Sequence, residues 1–194
     1  MYAVLAEGHS DAQMLRTIIE RLGTTAKGVP RVKEKGYNGC GELMKHGARD
    51  LKAFAKMNYA RFVVCFDADL GCPRLKRTEI IEKIIKPSKL SLPICVLVPV
   101  QEIEAWILAD VGALGKLFPT WRGRLNPIAS PELIRDPKEH LRRLVLDKEK
   151  RPKYDHATHN ASIARHLDLE EVKRKCPSFS PLAALIEAGE GNVH

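Results

Sequence analysis

Short runs of uninterrupted apolar residues constrain this chain more than any other feature. Residues 2–6, 62–66 and 94–98 are each almost wholly apolar, and the second and third are rich in β-branched or aromatic side chains. Strands buried on both faces read as continuous runs of this kind, whereas a half-exposed strand alternates. The intervening segments carry helical spacing instead. Met14, Leu15, Ile18, Ile19 and Leu22 recur at three- and four-residue steps, with Ser10 or Asp11 as the expected cap and Gly23 as the close. Leu43, Met44, Leu51 and Phe54 predict a helix over 39–57. Ile80, Ile81, Ile84 and Ile85 predict one over 74–85, broken by Pro87. A weak strand is expected at 30–32, and a helix over 101–109 with Ile103, Trp106 and Ile107 as its buried stripe. Strands alternating with helices imply an α/β fold: a mostly parallel four-stranded sheet with helices on both faces.

That core is expected to span residues 1–110. Beyond it the texture changes. Pro119, Pro127, Pro131, Pro137, Pro152, Pro177 and Pro181 punctuate short helical pieces such as 138–146, 161–166 and 182–188. Residues 111–194 therefore read as a helical extension folded onto the core, not as an independent domain. At 44% hydrophobic and 29% charged over 194 residues, the chain has the composition of a globular domain with a true core. No apolar run approaches the roughly 20 residues that cross a bilayer, and the first seven residues lack the basic start of a signal peptide. The five cysteines, Cys40, Cys65, Cys72, Cys95 and Cys176, are odd in number and form no Cys-x-x-Cys pair. A reducing, cytoplasmic setting is expected, and neither a disulfide scaffold nor a zinc ribbon.

The chemistry lies in acids at strand ends. Glu7 follows the first strand, Asp67 and Asp69 follow the third, and Glu102 and Glu104 come just after the fourth. In an open parallel sheet the carboxyl ends of the strands share one edge, and ligands bind there. Carboxylates gathered at one place repel each other and call for protons or cations. Hard divalent ions such as Mg²⁺ or Mn²⁺ favour such oxygens and serve phosphoryl transfer.

Glu7-Gly8-His9-Ser10-Asp11 and Asp67-Ala68-Asp69 resemble the two signature motifs of the Toprim superfamily, which includes topoisomerases, bacterial primases and the nucleases of the overcoming-lysogenization-defect (OLD) family. Gln101-Glu102-Ile103-Glu104-Ala105-Trp106 and the late Cys176-Pro177-Ser178-Phe179 are similar to segments of a small bacterial Toprim-like family of uncharacterised function. The resemblance implies a Toprim-like sheet and a metal site in which Glu7, Asp67, Asp69 and Glu104 are catalytic. It implies metal ligation by Glu7, Asp11, Asp67, Asp69 and Glu104, with Asp11 assisting at a second ion. Glu104 is preferred to Glu102 because the two lie about 200° apart on a helix, so that at most one faces the site. Gly8 lets the backbone turn and approach a phosphate. No base directly follows the Asp-x-Asp, which leaves Arg74, Lys76 or Arg77 for phosphate contact. Cys176–Phe179 receives no chemical role.

The net charge of +8 favours a polyanionic partner. Three segments carry the surplus: Lys27–Gly36 at +3, and residues 72–91 and 137–153 at +4 each. His156 and His159 lack a third ligand at metal spacing and read as structural. A receiver-type phosphoaspartate module would want a lysine after a later strand, where Pro99-Val100-Gln101 stands, and a haloacid-dehalogenase-like phosphatase places its Asp-x-Asp after the first strand, not the third. The expected function is a Mg²⁺- or Mn²⁺-dependent phosphodiesterase acting on DNA or RNA. The alternative is a catalytically silent nucleic-acid-binding or effector-partner module. The resemblance further implies a role in defence against phage or mobile DNA. Any coupled ATPase would be a separate subunit, because the chain has no Gly-x-x-x-x-Gly-Lys-Ser/Thr loop.

Overall fold

The computed structural model describes residues 1–26, 28–119, 125–146, 149 and 153–190. Its centre is a four-stranded, all-parallel sheet of β1 (Tyr2–Ala6), β2 (Val32–Gly36), β3 (Arg61–Cys65) and β4 (Ile94–Leu97), ordered β2-β1-β3-β4. This is the expected α/β architecture. β1 and β3 occupy the middle, and all five β1 residues are buried. Successive side chains alternate between faces. Tyr2, Val4, Ala6, Val63, Cys65 and Leu97 enter one apolar cluster, while Ala3, Leu5, Phe62, Val64 and Val96 enter another.

The weak strand expected at 30–32 lies instead at Val32–Gly36. Its sequence, Val-Lys-Glu-Lys-Gly, is polar because β2 is an edge strand and most of its side chains reach solvent. The helix α1 (His9–Leu22) packs on β2 and buries Met14, Leu15, Ile18 and Ile19. Neither expected cap is used. Extended Gly8 holds that position, which frees the Asp11 side chain in the first turn. On the opposite face lie α2 (Cys40–Lys56) and α3 (Pro73–Ile80), the latter continuing through a π-helical turn (Ile81–Ile85) into α4 (Lys86–Ser88). Pro87 therefore does not end the helix. A proline has no N–H to give and crowds the carbonyl four residues back, and the wider π turn preceding it, with Lys86 N–H bonded to the Ile81 carbonyl, relieves both problems.

The helix expected over 101–109 is shorter. It begins at Ala105, as α5 (Ala105–Ala109), and all five of its residues are buried. After it come α6 (Gly112–Leu117), a 3₁₀ turn (Pro131–Leu133), α7 (Pro137–Leu144), α8 (His156–Ala164), α9 (Leu169–Lys175), a second 3₁₀ turn (Pro177–Phe179) and α10 (Ser180–Glu190). α8 packs on α1, and α10 on β4. One apolar cluster consequently runs from Tyr2 to Ile186, taking in Leu141, Ile163, Val172, Phe179 and Leu182. Among the described residues no helix is long and apolar enough to cross a membrane.

Candidate metal centre

From β1 the chain passes to β2 on one side and then crosses back to β3 on the other, so the strand order reverses between the central strands β1 and β3. A crevice opens outside the strand ends at such a reversal. Glu7 is the first residue after β1 and Asp67 the second after β3. Asp11 faces them from the first turn of α1. One carboxylate oxygen from each of Glu7, Asp11 and Asp67 lies within 4.8 Å of the other two. Asp67 is 5% exposed and Asp11 9%. Two glycines allow this approach. A Cβ on Gly8 would sit 2.5 Å from Asp11 Oδ2, and one on Gly36 would sit 2.4 Å from the Cα of His9, jamming β2 against the start of α1. The loop after β2 is pinned beside the site, Gly39 N–H donating to the Glu7 carbonyl at 2.9 Å.

Like charges drawn together out of water resist ionisation. Burial pushes Asp67 well above the usual carboxylate range, and Asp11, Glu104, Glu7 and Asp69 push it the same way. Burial, then Asp69 and Asp11, raise Glu7 to about 7, against the pull of Lys138 and Lys76. Burial also raises Asp11, although the Ser10 hydroxyl donates to its Oδ1 at 3.1 Å and Lys138 opposes the shift. A multivalent cation relieves this repulsion, and an all-carboxylate set suits a hard one.

A second pair of acids is organised differently. Residues 101–104 form turns in which Ala105 N–H donates to the Glu102 carbonyl (3.1 Å) and Trp106 N–H to that of Ile103 (3.0 Å). Glu102 and Glu104 therefore do not sit on opposite sides of one regular helix, and both reach Lys138. Glu102 accepts from the Lys138 ammonium at 3.0 Å and, through its other oxygen, from the Lys138 backbone N–H at 2.8 Å; Glu104 Oε1 lies 3.9 Å from the same ammonium. Glu104 is fully buried. Its Oε1 also accepts from Asn160 Nδ2 (3.1 Å) and lies 3.5 Å from the Tyr154 hydroxyl, which donates to Asn160 Oδ1. Its Oε2 has no hydrogen-bond partner among the described residues. Burial raises Glu104 to about 7 in spite of Lys138. Burial pulls Lys138 down in turn, but Glu104 and Glu102 outweigh it and hold the ammonium above the ordinary lysine range.

The late Cys-Pro-Ser-Phe segment clamps the helix that follows Glu104. Trp106 Nε1 donates to Ser178 Oγ at 2.9 Å, the Trp106 and Phe179 rings meet edge to face at 5.0 Å, and Cys176 Sγ contacts the Ala105 carbonyl at 3.8 Å. Ser178 in turn donates to Glu132 from both its amide and its hydroxyl. Its role is to seat α5.

The family model described as Domain of unknown function (DUF4276) matches residues 6–187, nearly the whole chain. The chain belongs to that family. No curated protein and no solved structure matches it at a significant level. The matched span of this DUF4276 member takes in every acid named above, together with Lys138 and the Ser178 clamp.

The remaining sequence-expected residues separate. Asp69 is exposed and stands outside the group of three close oxygens, although its charge is the largest acting on Glu7. Lys76 lies over the Phe66 ring, 4.5 Å from its centroid, and its charge reaches Glu7. Arg77 turns away and donates to the Val96 carbonyl at 2.6 Å, while Arg74 is exposed on the first turn of α3. Lys138 was not singled out in the sequence, nor were Tyr154 and Asn160. One signal was present for Lys138: a cation at the second position of a helix opposes the helix dipole, which implies a nearby carboxylate. His159 bonds locally to Asp155 and stacks near Tyr154, and the charge of His156 acts weakly on Asp11. Of the basic segments, Lys27 and residues 147, 148 and 150–152, with Pro152, lie outside the described residues, as do residues 191–194.

Proposed function

We propose that this DUF4276 protein is a metal-dependent phosphodiesterase acting on DNA or RNA. The observation that carries the reading is the meeting of Glu7, Asp11 and Asp67 oxygens within 4.8 Å at the sheet's reversal point, two of the three side chains being buried. The donor set is all hard oxygen, which suits Mg²⁺ or Mn²⁺. Glu7, Asp11 and Asp67 would hold the ion, with Asp69 at the rim and Glu104 behind. A divalent ion bound there supplies Lewis-acid stabilisation of a phosphoryl group and lowers the pKa of a coordinated water. Glu7, held at about 7 by burial and by its acidic neighbours, would release its proton as the ion binds, so that binding and proton release are coupled. The charges of Lys138 and Lys76 both act on Glu7, and they would favour the negative charge of a phosphate held beside it. The strand order of the acids and their resemblance to Toprim nucleases support the same reading. All five cysteines are free thiols, which suits a cytoplasmic protein.

The test pairs binding with turnover. Mn²⁺ titration by calorimetry is expected to show binding in wild type and its loss in Asp67→Asn. Cleavage of single- and double-stranded DNA and RNA is expected with Mg²⁺ or Mn²⁺, and to fail in Asp67→Asn and Glu7→Gln. Equal cleavage by all three proteins would mark a contaminant and remove the site assignment. Salt-sensitive nucleic-acid binding without turnover would establish the silent binding module instead.

A further inference from the structure

The loop carrying Asp69 is bent in an unusual way. Asp69 (φ 46°) and Leu70 (φ 64°) are consecutive non-glycine residues in the left-handed region. Side chains with a Cβ enter that region at a cost, and a run of two needs an external restraint. Packing does not supply one, since Leu70 is 60% exposed. Hydrogen bonds do. Asp69 N–H donates to the Gln101 carbonyl at 3.2 Å, and Leu70 N–H donates to the Gln101 side-chain Oε1 at 3.1 Å. One residue thus receives two successive amides. Gln101 lies four residues past β4 and directly before Glu102, and it lines a cleft of about 170 Å³ together with Asp69, Leu70, Glu102, Arg135 and Asp136.

We propose that Gln101 is a positioning residue, a clip that holds the strained 69–70 turn so that the Asp69 carboxylate stays at the rim of the metal centre. The proposal rests on the metal-centre reading above. Gln101 has no other hydrogen-bonding duty among the described residues, and its amide is long enough to reach the loop from the neighbouring strand end. Alanine removes the side-chain bond but leaves the carbonyl bond, so the fold persists while the turn relaxes. Glycine at position 70 adopts the left-handed conformation without a Cβ and makes the clip unnecessary.

The experiment measures Mn²⁺ affinity by calorimetry for wild type, Gln101→Ala, Leu70→Gly and the double variant, with amide hydrogen exchange at positions 69 and 70. Gln101→Ala is expected to weaken Mn²⁺ binding by about tenfold, the lower end of the range for groups that support a metal site from outside the ligand set, while the metal-free thermal midpoint stays close to wild type. Leu70→Gly alone should bind as wild type, and the double variant should recover most of the lost affinity. Undiminished binding in Gln101→Ala overturns the proposal. So does a loss that Leu70→Gly does not restore, because the cause would then lie outside the strained turn. Absence of Mn²⁺ binding by wild type removes the metal-centre reading itself. The clip then stands or falls on exchange alone: faster exchange at residue 70 in Gln101→Ala supports it, and equal exchange overturns it.

Discussion

Glu104→Gln isolates the electrostatic cost of the site from its chemistry. Glu104 is fully buried, so solvent screening does not dilute the effect. Its carboxyl titrates at about 7 in the fold, against 4.5 ordinarily. The folded protein therefore keeps a proton that the unfolded chain releases. Stability from this group is complete below pH 4.5 and is lost as the pH rises through 7. With each pKa unit worth about 1.4 kcal/mol, the loss comes to about 3 kcal/mol by pH 8. The attraction to Lys138 is already contained in that value, since it opposes burial. Glutamine keeps the shape and an oxygen for Asn160, and carries no charge at any pH. Lys138 keeps its closer partner, Glu102, at 3.0 Å.

In EDTA the variant should match wild type near pH 4.5 and exceed it by about 3 kcal/mol at pH 8. Urea unfolding followed by circular dichroism, at half-unit steps from pH 4.5 to 8.5, reads the difference directly. Under the proposed function, saturating Mn²⁺ should narrow the gap, because the variant lacks one carboxylate charge beside the ion and would gain less stability from binding it. A variant less stable than wild type at pH 8 in EDTA would show that Glu104 is a satisfied structural anion, and would refute the reasoning.

Three further outcomes follow from the same geometry. Mn²⁺ affinity should rise with pH between 5 and 8, because protons compete for the raised carboxyls of Glu7 and Glu104; calorimetry showing a flat profile would contradict this. Gly8→Ala places a Cβ 2.5 Å from Asp11 Oδ2 at a backbone conformation alanine tolerates, so Mn²⁺ affinity should fall about tenfold or more with little loss of thermal stability. Ser178→Ala strands the Trp106 indole N–H and should cost about 1–3 kcal/mol, visible as a lower thermal midpoint; an unchanged midpoint would remove the clamp assigned to Cys176–Phe179.

The parts legible in the sequence are those set by local burial. β1, β3 and β4 announce themselves because strands covered on both faces must be apolar throughout, and the position of Glu7 and Asp67 after such runs places them at one edge. β2 is obscure for the converse reason: an edge strand of Lys33, Glu34 and Lys35 carries almost no apolar signal. A helix over 101–109 sets Glu102 and Glu104 on opposite sides, whereas the helix begins only at Ala105 and the turns before it bring both acids to Lys138. Lys138, Tyr154 and Asn160 reach Glu104 across 34 to 56 residues of chain, and no periodicity records a contact at that separation. Cys176–Phe179 likewise acquires a role only once Trp106 is seen against it.

The basic surplus also takes on a different meaning. Several of the cations are paired locally: Arg16 with Glu20 and Glu34, Lys83 with Glu79, Lys86 with Glu82, and Arg174 and Lys175 with Glu171. Exposed pairs at helical spacing contribute little to stability and present no continuous field to a distant polyanion. The cations that act on Glu7 come from separate regions of the chain, Lys76 from α3 and Lys138 from α7. Lys138 is moreover held there by two acids, so its charge is fixed in place before any phosphate arrives. Such preorganised charge stabilises a developing negative centre better than a larger but mobile surplus, since no reorganisation is required at the moment of reaction. Under the proposed function, the weight of the +8 would rest on where these two ammonium groups stand, and the helical extension would take part by supplying one of them.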